Sequence, residues 1–493
     1  MTKARQLNQV NTSALPVSVQ KPGYDRSKLV AGIVHFGVGG FHRAHEAVVI
    51  DDLLATGEAN DWAICGVGLL EGDKKMRDVL ESQDFLYSLT LKHPDGRLEA
   101  RVIGSIVDYI YAPDSPKKLL NKLSSPETKI VSLTITEGGY NFDRVTGVFD
   151  SSNPRVAADL VAGNEPSTVF GYITEALRIR RDKGIPAFTV MSCDNIQGNG
   201  HIAKNMFVSF AKLKDPILGE WIQENVAFPN SMVDRITPVT SPDDINLIEN
   251  LIGLHDEWPV VAEPFFQWCL EDDFGMGRPQ FERVGVQMVE DVTPYELMKL
   301  RLLNASHQAL CYFGYLSGYR FAHEATADPA MQKFLLRYMR KEAQPTLKPV
   351  PGIDISTYQD KLIERFSNPE VKDTLARLCA ESSDRIPKWL VPVIREQLAA
   401  GGEIECSAAI VASWARYAEG QDEQGQPIDV VDPLKSELVA IAQTQRGNPL
   451  AFLENEKLFG DLATNQRFAD AYLTALTSIF EHGAHATLRG LAK

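Results

Sequence analysis

With 493 residues the chain is long enough for two or more domains, each with its own core. Its 44% hydrophobic and 23% charged residues are those of an ordinary globular protein, and a formal net charge of −15 opposes nucleic acid or an anionic membrane surface as a partner. No apolar run of about 18 residues is available to span a bilayer, and the polar segment 1–22 lacks the apolar stretch of a signal peptide.

The first half alternates strand-like and helix-like segments. An apolar run at 29–36 leads into glycines and a helical stretch over 43–54; a strand at 62–67 precedes a helix at 73–82. Residues 85–91 and 98–106 pattern as an antiparallel hairpin around Pro94-Asp95-Gly96. Residues 130–135 read as a strand buried on both faces. A helix at 167–181 and a strand at 187–192 follow, the latter ending at Cys193-Asp194-Asn195. After a strand near 284–289 helical periodicity dominates, with segments near 331–344, 370–381, 389–399, 406–418, 433–445 and 466–480. The expected fold is α/β: a Rossmann-type domain over 1–289, with a mostly parallel sheet and insertions, then a predominantly α-helical domain over 290–493.

The turn Gly37-Val38-Gly39-Gly40-Phe41-His42-Arg43 follows the first strand, where a Rossmann domain presents backbone N–H groups to a pyrophosphate. Gly37 and Gly39 keep the usual spacing, but His42 occupies the third glycine position. Arg43 either adds a charge to the phosphates or is an ordinary exposed arginine at a helix start. After the second strand, Glu71 or Asp73 is placed to accept hydrogen bonds from an adenosine ribose and to repel an extra phosphate. Lys74 and Lys75 act the other way. NAD is the expected cofactor, with NADP less favoured.

One run carries a lysine, an amide and an imidazole: Lys299, Asn304 and His307. Thr293 can cap this helix, Pro294 suits its first position, and Glu296 completes a capping box. At about 100° per residue, Asn304 lies roughly 140° and His307 roughly 80° round from Lys299, so the three share one broad arc. Leu297, Leu300, Leu303 and Leu310 imply burial on more than one side. Burial disfavours a lysine's charged form. A lysine so tuned can take a proton from an alcohol while amides hold the oxygen and an imidazole orients the substrate.

Cys65, Cys193, Cys269, Cys311, Cys379 and Cys406 are scattered, without a CxxC pair, as suits reduced thiols in a cytoplasmic protein. His42-x-x-His45 and His482-x-x-His485 are the close histidine pairs. Without converging carboxylates or cysteines in the sequence, no metal is expected. No heptad demands a partner, so a monomer is expected.

Five separated segments together resemble the polyol-specific long-chain dehydrogenase/reductase family. They are Gly37–Arg43, Thr134-Ile-Thr-Glu-Gly-Gly-Tyr140, Ser192-Cys-Asp-Asn195, Phe228 through Pro238, and the Lys299-x4-Asn304-x2-His307 run. The resemblance implies metal-independent, NAD-dependent oxidation of D-mannitol to D-fructose and its reverse, in a cleft between the two domains. It implies Lys299 as general acid/base, Asn195 and Asn304 as amides on the reacting oxygen, and His307 as the group that orients substrate. It also implies Asp234, Arg377 and Arg385 as substrate contacts, Asp73 as the ribose ligand and Glu137 as a residue near the nicotinamide. Two departures stand out: Arg385 replaces an expected lysine, and Gly72 precedes Asp73 where relatives can carry Glu-Asp. The alternatives are a sibling enzyme acting on D-arabinitol or a hexuronate, or a nucleotide-binding regulator without chemistry.

Overall fold

The computed structural model describes residues 4–142 and 147–493. The chain divides into two compact units, Met1–Val292 and Thr293–Lys493.

Among the described residues eleven strands lie in the first unit: β1 Ile33–Phe36, β2 Ile64–Gly68, β3 Tyr87–Lys92, β4 Leu98–Ile103, β5 Ile106–Tyr111, β6 Ile130–Leu133, β7 Thr189–Ser192, β8 Ser231–Asp234, β9 Val260–Ala262, β10 Gln267–Glu271 and β11 Gln287–Val289. Five of them form an all-parallel sheet in the order β5-β2-β1-β6-β7. Every residue of β1, β2, β6 and β7 is buried, which is why these strands read as apolar runs rather than alternating ones. Val34, Phe36, Val131 and Val190 pack in one core with the helices Val169–Asp182 and Asn199–Lys214. Ile33, Ile64, Ile130 and Met191 pack in a second core with the helix Glu46–Ala55.

The hairpin forms as the sequence suggests, β3 antiparallel to β4 with Gly96 in the left-handed region at φ +82°, and β9 joins β3 in parallel. Its second arm is shorter than the apolar run implies. The Gly104 N–H donates to Asp51 at 2.8 Å and the Ser105 hydroxyl to the Ala47 carbonyl at 2.6 Å, pinning a break after Ile103. The chain resumes as β5, an edge strand of the parallel sheet that the sequence pattern did not separate from the hairpin. The expected helix over 43–54 is likewise two helices, Gly40–Ala44 and Glu46–Ala55, broken at His45 (φ −124°, ψ −94°).

From β1 the chain builds outward through β2 to β5, then crosses to β6 on β1's other side. That reversal of strand order creates a crevice at the carboxyl end of β1, where open α/β sheets bind ligands. Gly37 occupies this point at φ +94°, and a Cβ there would stand 2.1 Å from the Thr134 carbonyl oxygen.

The second unit is helical. Its first helix starts at Thr293, runs α-helically to Met298, π-helically over Lys299–Asn304, and α-helically again over Ala305–Leu316. The last part is buried on nearly all sides, with Ala305, Ala309, Leu310, Tyr312, Phe313 and Leu316 fully enclosed, as the leucine content implies. It packs on the helices Leu375–Cys379, Glu405–Tyr417 and Ala484–Leu491. Ile355–Phe366 and Ala484–Leu491 are further helices the periodicity did not reveal.

The contact at the strand crossover yields a stability test. Gly37→Ala should cost on the order of 3 kcal/mol from the positive φ and the clash, read as a lower midpoint of urea unfolding; a parental midpoint would refute this account of the turn.

Candidate functional site

The first unit gathers most of its sequence-nominated residues at the carboxyl ends of the parallel strands. Gly37, Gly39, Gly40 and Phe41 follow β1, Asp73 follows β2, Glu137 follows β6 and Asn195 follows β7. Gly39 leaves open space: the nearest atom to an added Cβ is the Gly37 carbonyl oxygen, 3.8 Å away. Phe41 stacks on the His45 ring with centroids 4.8 Å apart. Asp73 opens the helix Asp73–Ser82, and its Oδ2 accepts the N–H groups of Leu69 and Leu70, each at 2.8 Å. Both bonds fall on one oxygen, leaving Oδ1 as an acceptor at the end of β2. The Lys75 ammonium sits over the Trp258 ring, 4.9 Å from its centroid.

Arg43 corrects the reading of an ordinary exposed arginine. It is buried rather than exposed, and its guanidinium turns inward, donating to the Trp258 carbonyl and, at 3.4 Å, to the Gly39 carbonyl. Tyr87 and Trp258 flank it. Through these bonds it braces the glycine turn.

The residue missed by sequence reasoning is Asp194. This buried carboxylate accepts the N–H of Ile135 at 3.1 Å, the N–H of Thr136 at 2.8 Å and the Tyr140 hydroxyl at 2.8 Å. Burial raises its pKa against the lowering effect of these bonds. Thr136 is held at φ +63°, in the left-handed region. Asp194 therefore ties the loop bearing Glu137 to the loop bearing its own neighbour, Asn195. The buried Asn199 amide continues the chain of contacts, donating to the Asp194 carbonyl at 3.0 Å and to the Ser231 carbonyl at 2.8 Å, on the strand that ends at Asp234. The one available signal was position, since Asp194 lies between two nominated residues in Ser192-Cys-Asp-Asn195.

Beneath the glycine turn the fold also brings a carboxylate to a histidine. His35, His42 and Glu46 are all buried, with potential ligand atoms within 4.8 Å of one another. The sequence paired His42 with His45 and lacked a carboxylate, so this grouping is new. The rings of His35 and His42 stack with centroids 3.5 Å apart and planes 14° apart. An imidazole binds metal through an in-plane lone pair, so two stacked rings cannot both aim at one ion. His35 is further engaged, its ring nitrogens 2.8 Å from the Ser132 hydroxyl and 2.9 Å from the Thr134 hydroxyl. Burial, with His35, Arg43 and His45 nearby, holds His42 well below the ordinary histidine range and hence neutral. This geometry supports packing under the turn, not coordination.

In the second unit Lys299, Asn304 and His307 share one helix, but not in the register the sequence implied. The helix is π-helical over Lys299–Asn304, and at its end the Ala305 N–H bonds to the Leu300 carbonyl five residues back. At about 4.4 residues per π turn, residues five apart stand on the same side, roughly 50° apart, where an α-helix would set them about 140° apart. Lys299 and Asn304 are five apart. Both are buried, and Asn304 Nδ2 has no hydrogen-bond acceptor among the described residues. The His307 ring is half-buried against Phe366, with centroids 4.8 Å apart. Glu296 is buried one turn before Lys299.

Arg377 and Arg385 lie on the helices Leu375–Cys379 and Ser382–Trp389. The Arg377 guanidinium makes two bonds to Asp373, at 2.7 and 2.6 Å. Arg385 donates to the Leu378 carbonyl at 3.1 Å and to the Arg377 carbonyl at 3.4 Å, and lies over the Trp389 ring.

A parallel sheet with a glycine turn at its point of reversal and an acidic residue after the next strand is the architecture of the Rossmann class of oxidoreductases, here followed by a helical unit with a buried lysine and amide on the same side of a helix. The chain matches the mannitol dehydrogenase Rossmann domain over residues 31–283 and the mannitol dehydrogenase C-terminal domain over 291–480. It belongs to the mannitol dehydrogenase family. Mannitol 2-dehydrogenase of Aspergillus fumigatus is 46% identical over 492 residues, covering 98% of each chain. A mannitol dehydrogenase of Saccharomyces cerevisiae is 42% identical, covering 99% of this chain and 98% of its own. Among solved structures, the ternary complex of Pseudomonas fluorescens mannitol 2-dehydrogenase with NAD and D-mannitol superposes with a TM-score of 0.89 at 45% identity, covering 99% of both chains. A D-sorbitol dehydrogenase in substrate-free form superposes at 0.91 with 41% identity, covering 98% of this chain and all of its own.

The Asp194 clamp is open to test. Asp194→Ala leaves three donors unpaired, two of them backbone N–H groups, and should lower unfolding free energy by about 2–4 kcal/mol in urea titration; a change below about 0.5 kcal/mol would show the loops are held by other means.

Proposed function

We propose that this protein oxidises D-mannitol at C2 to D-fructose with NAD, and catalyses the reverse reduction, using Lys299 as general base and acid and no metal. The observation that carries the reading is the buried Asn304 amide nitrogen, without an acceptor among the described residues, on the same π segment as the buried Lys299. An unsatisfied buried donor costs about 1–3 kcal/mol, and a substrate oxygen beside the lysine gives it a partner. The family relationship supplies the rest of the support.

The first unit suits the cofactor. Gly39 leaves room for a pyrophosphate, Asp73 presents Oδ1 to a ribose hydroxyl, and Lys75 is drawn to Trp258 instead of a 2′-phosphate. When bound, the nicotinamide supplies hydride exchange at its C4. The protein's part is the proton and the oxygen. Neutral Lys299 takes the C2 hydroxyl proton, while Asn195 and Asn304 donate to the oxygen as charge builds; such donors are typically worth about 3–4 kcal/mol. His307 orients the polyol, with Asp234, Arg377 and Arg385 along its chain and Glu137 toward the nicotinamide. Oxidation needs the amine and reduction the ammonium. The oxidative rate should therefore fall toward acid pH and the reductive rate toward alkaline pH. The enzyme is read as a cytoplasmic monomer.

A second reading, D-sorbitol as substrate, is favoured by the likeness to a D-sorbitol dehydrogenase. The two hexitols are epimers at C2 and yield the same ketose there.

Lys299→Ala should remove most turnover while leaving NADH binding, followed by fluorescence, nearly intact; retained turnover would end the base assignment. Asp73→Ala should weaken NAD more than NADP in steady-state kinetics, whereas an unchanged preference would return the role to Glu71. Rates on D-mannitol, D-sorbitol, D-arabinitol and fructuronate with both cofactors decide the substrate, and a uronate preference would overturn the polyol reading.

A further inference from the structure

The π segment that aligns Lys299 with Asn304 does not stand alone. A second one, Tyr338–Ala343, ends the helix Pro329–Arg337, and its register is marked by the Gln344 N–H bonding to the Met339 carbonyl five residues back. The two π segments pack together. Where they meet, the fully buried Tyr338 hydroxyl donates to the Arg301 carbonyl at 3.1 Å, at the middle of the catalytic π segment. The Arg301 side chain reinforces the contact from its other end. Its guanidinium donates to the Thr346 carbonyl at 2.7 Å, just beyond the second π segment, and to both Glu396 carboxylate oxygens at 2.9 and 2.7 Å.

The second segment is itself held by side-chain donors. Gln397 donates to the Glu342 carbonyl, and the Glu342 carboxylate accepts the N–H groups of Cys406 at 2.6 Å and Ser407 at 2.8 Å, at the start of the helix Glu405–Tyr417. Tyr338 thus projects from an element fixed on several sides. Isolated π turns are rare and often sit at functional sites, and they persist where surrounding contacts make the alternative register worse.

We propose that Tyr338 is a positioning residue for the reaction: its hydroxyl, by holding the Arg301 carbonyl, keeps Lys299–Asn304 in the π register that puts the base and the amide donor on the same side. This inference rests on the dehydrogenase reading above. If the segment relaxed to an α register, the angle between Lys299 and Asn304 would widen from roughly 50° to roughly 140°. The substrate oxygen would then lose either the base or the clamp. Tyr338 touches neither substrate nor cofactor in this scheme.

Tyr338→Phe keeps the ring and removes only the hydroxyl. It should lower kcat for D-mannitol oxidation roughly tenfold and shift the pH at which kcat/KM falls, because Lys299 changes surroundings, while NADH affinity and the circular dichroism spectrum stay parental. A parental kcat and pH profile would overturn the proposal. A lowered melting temperature with an unshifted pH profile would also overturn it, since that outcome assigns Tyr338 to the fold alone. Lys299→Ala measured alongside separates the two levels. If it stays active, the dehydrogenase reading fails and this inference with it; if it is dead while Tyr338→Phe is parental, only the role of Tyr338 is refuted.

Discussion

The π-helical hydrogen-bond register over Lys299–Asn304 sets where a buried lysine and a buried amide stand on their helix. In the neighbouring α turns such a pair would diverge, so this short departure from the commoner helix determines whether the two groups can meet one oxygen atom. A π turn survives only if its surroundings oppose relaxation. Here the residues on every side of it, Met298, Leu300, Leu302, Leu303 and Ala305, are buried, and a slip would push leucines into occupied space. The polar tie through Arg301 adds direction to what packing supplies in bulk.

The first unit meets a similar demand by different means. Its nominated residues sit at five separate strand ends, and strands are held in register only along their length. What fixes the loops beyond is Asp194, whose carboxylate gathers two backbone N–H groups and a tyrosine hydroxyl while Thr136 is kept in a left-handed conformation. Gly37 does the equivalent for β1 by letting its Cα approach the Thr134 carbonyl. Local strain held by surrounding bonds thus recurs in both units at the residues nominated for chemistry.

The sequence made legible what depends on local composition. The helix Asp73–Ser82 was read with its observed ends, the central strands were recognised as apolar runs, and the hairpin followed from Pro94-Asp95-Gly96. It hid what depends on distant partners. Nothing in the run 98–106 marks the break after Ile103, because Asp51 and Ala47 impose it from another helix. Arg43 resembles a surface arginine until Trp258 closes over it, more than two hundred residues later. The π register is invisible for a related reason: leucines spaced by three and four fit an α-helix equally well, and only tertiary bracing selects the other. The lysine, amide and imidazole were legible as a set, while their alignment was not.

Charge disposition bears on what the second unit can accept. A hexuronate brings a carboxylate, and an arginine held ready for it should have its guanidinium uncommitted. Arg377 is committed and Arg385 in part. Asp373 takes two donors of Arg377 in the geometry that best satisfies a guanidinium, and Arg385 directs its Nη1 to the Leu378 and Arg377 carbonyls while Glu381 lies 3.7 Å from its Nη2. Turning the Arg377 fork to a substrate carboxylate would mean breaking its charge-assisted pair with Asp373. Arg385 also lies over the Trp389 ring, a contact that a planar guanidinium makes and a point-charged ammonium does not make in the same way. These bonds and the Arg377–Asp373 pair tie together the segment 373–389.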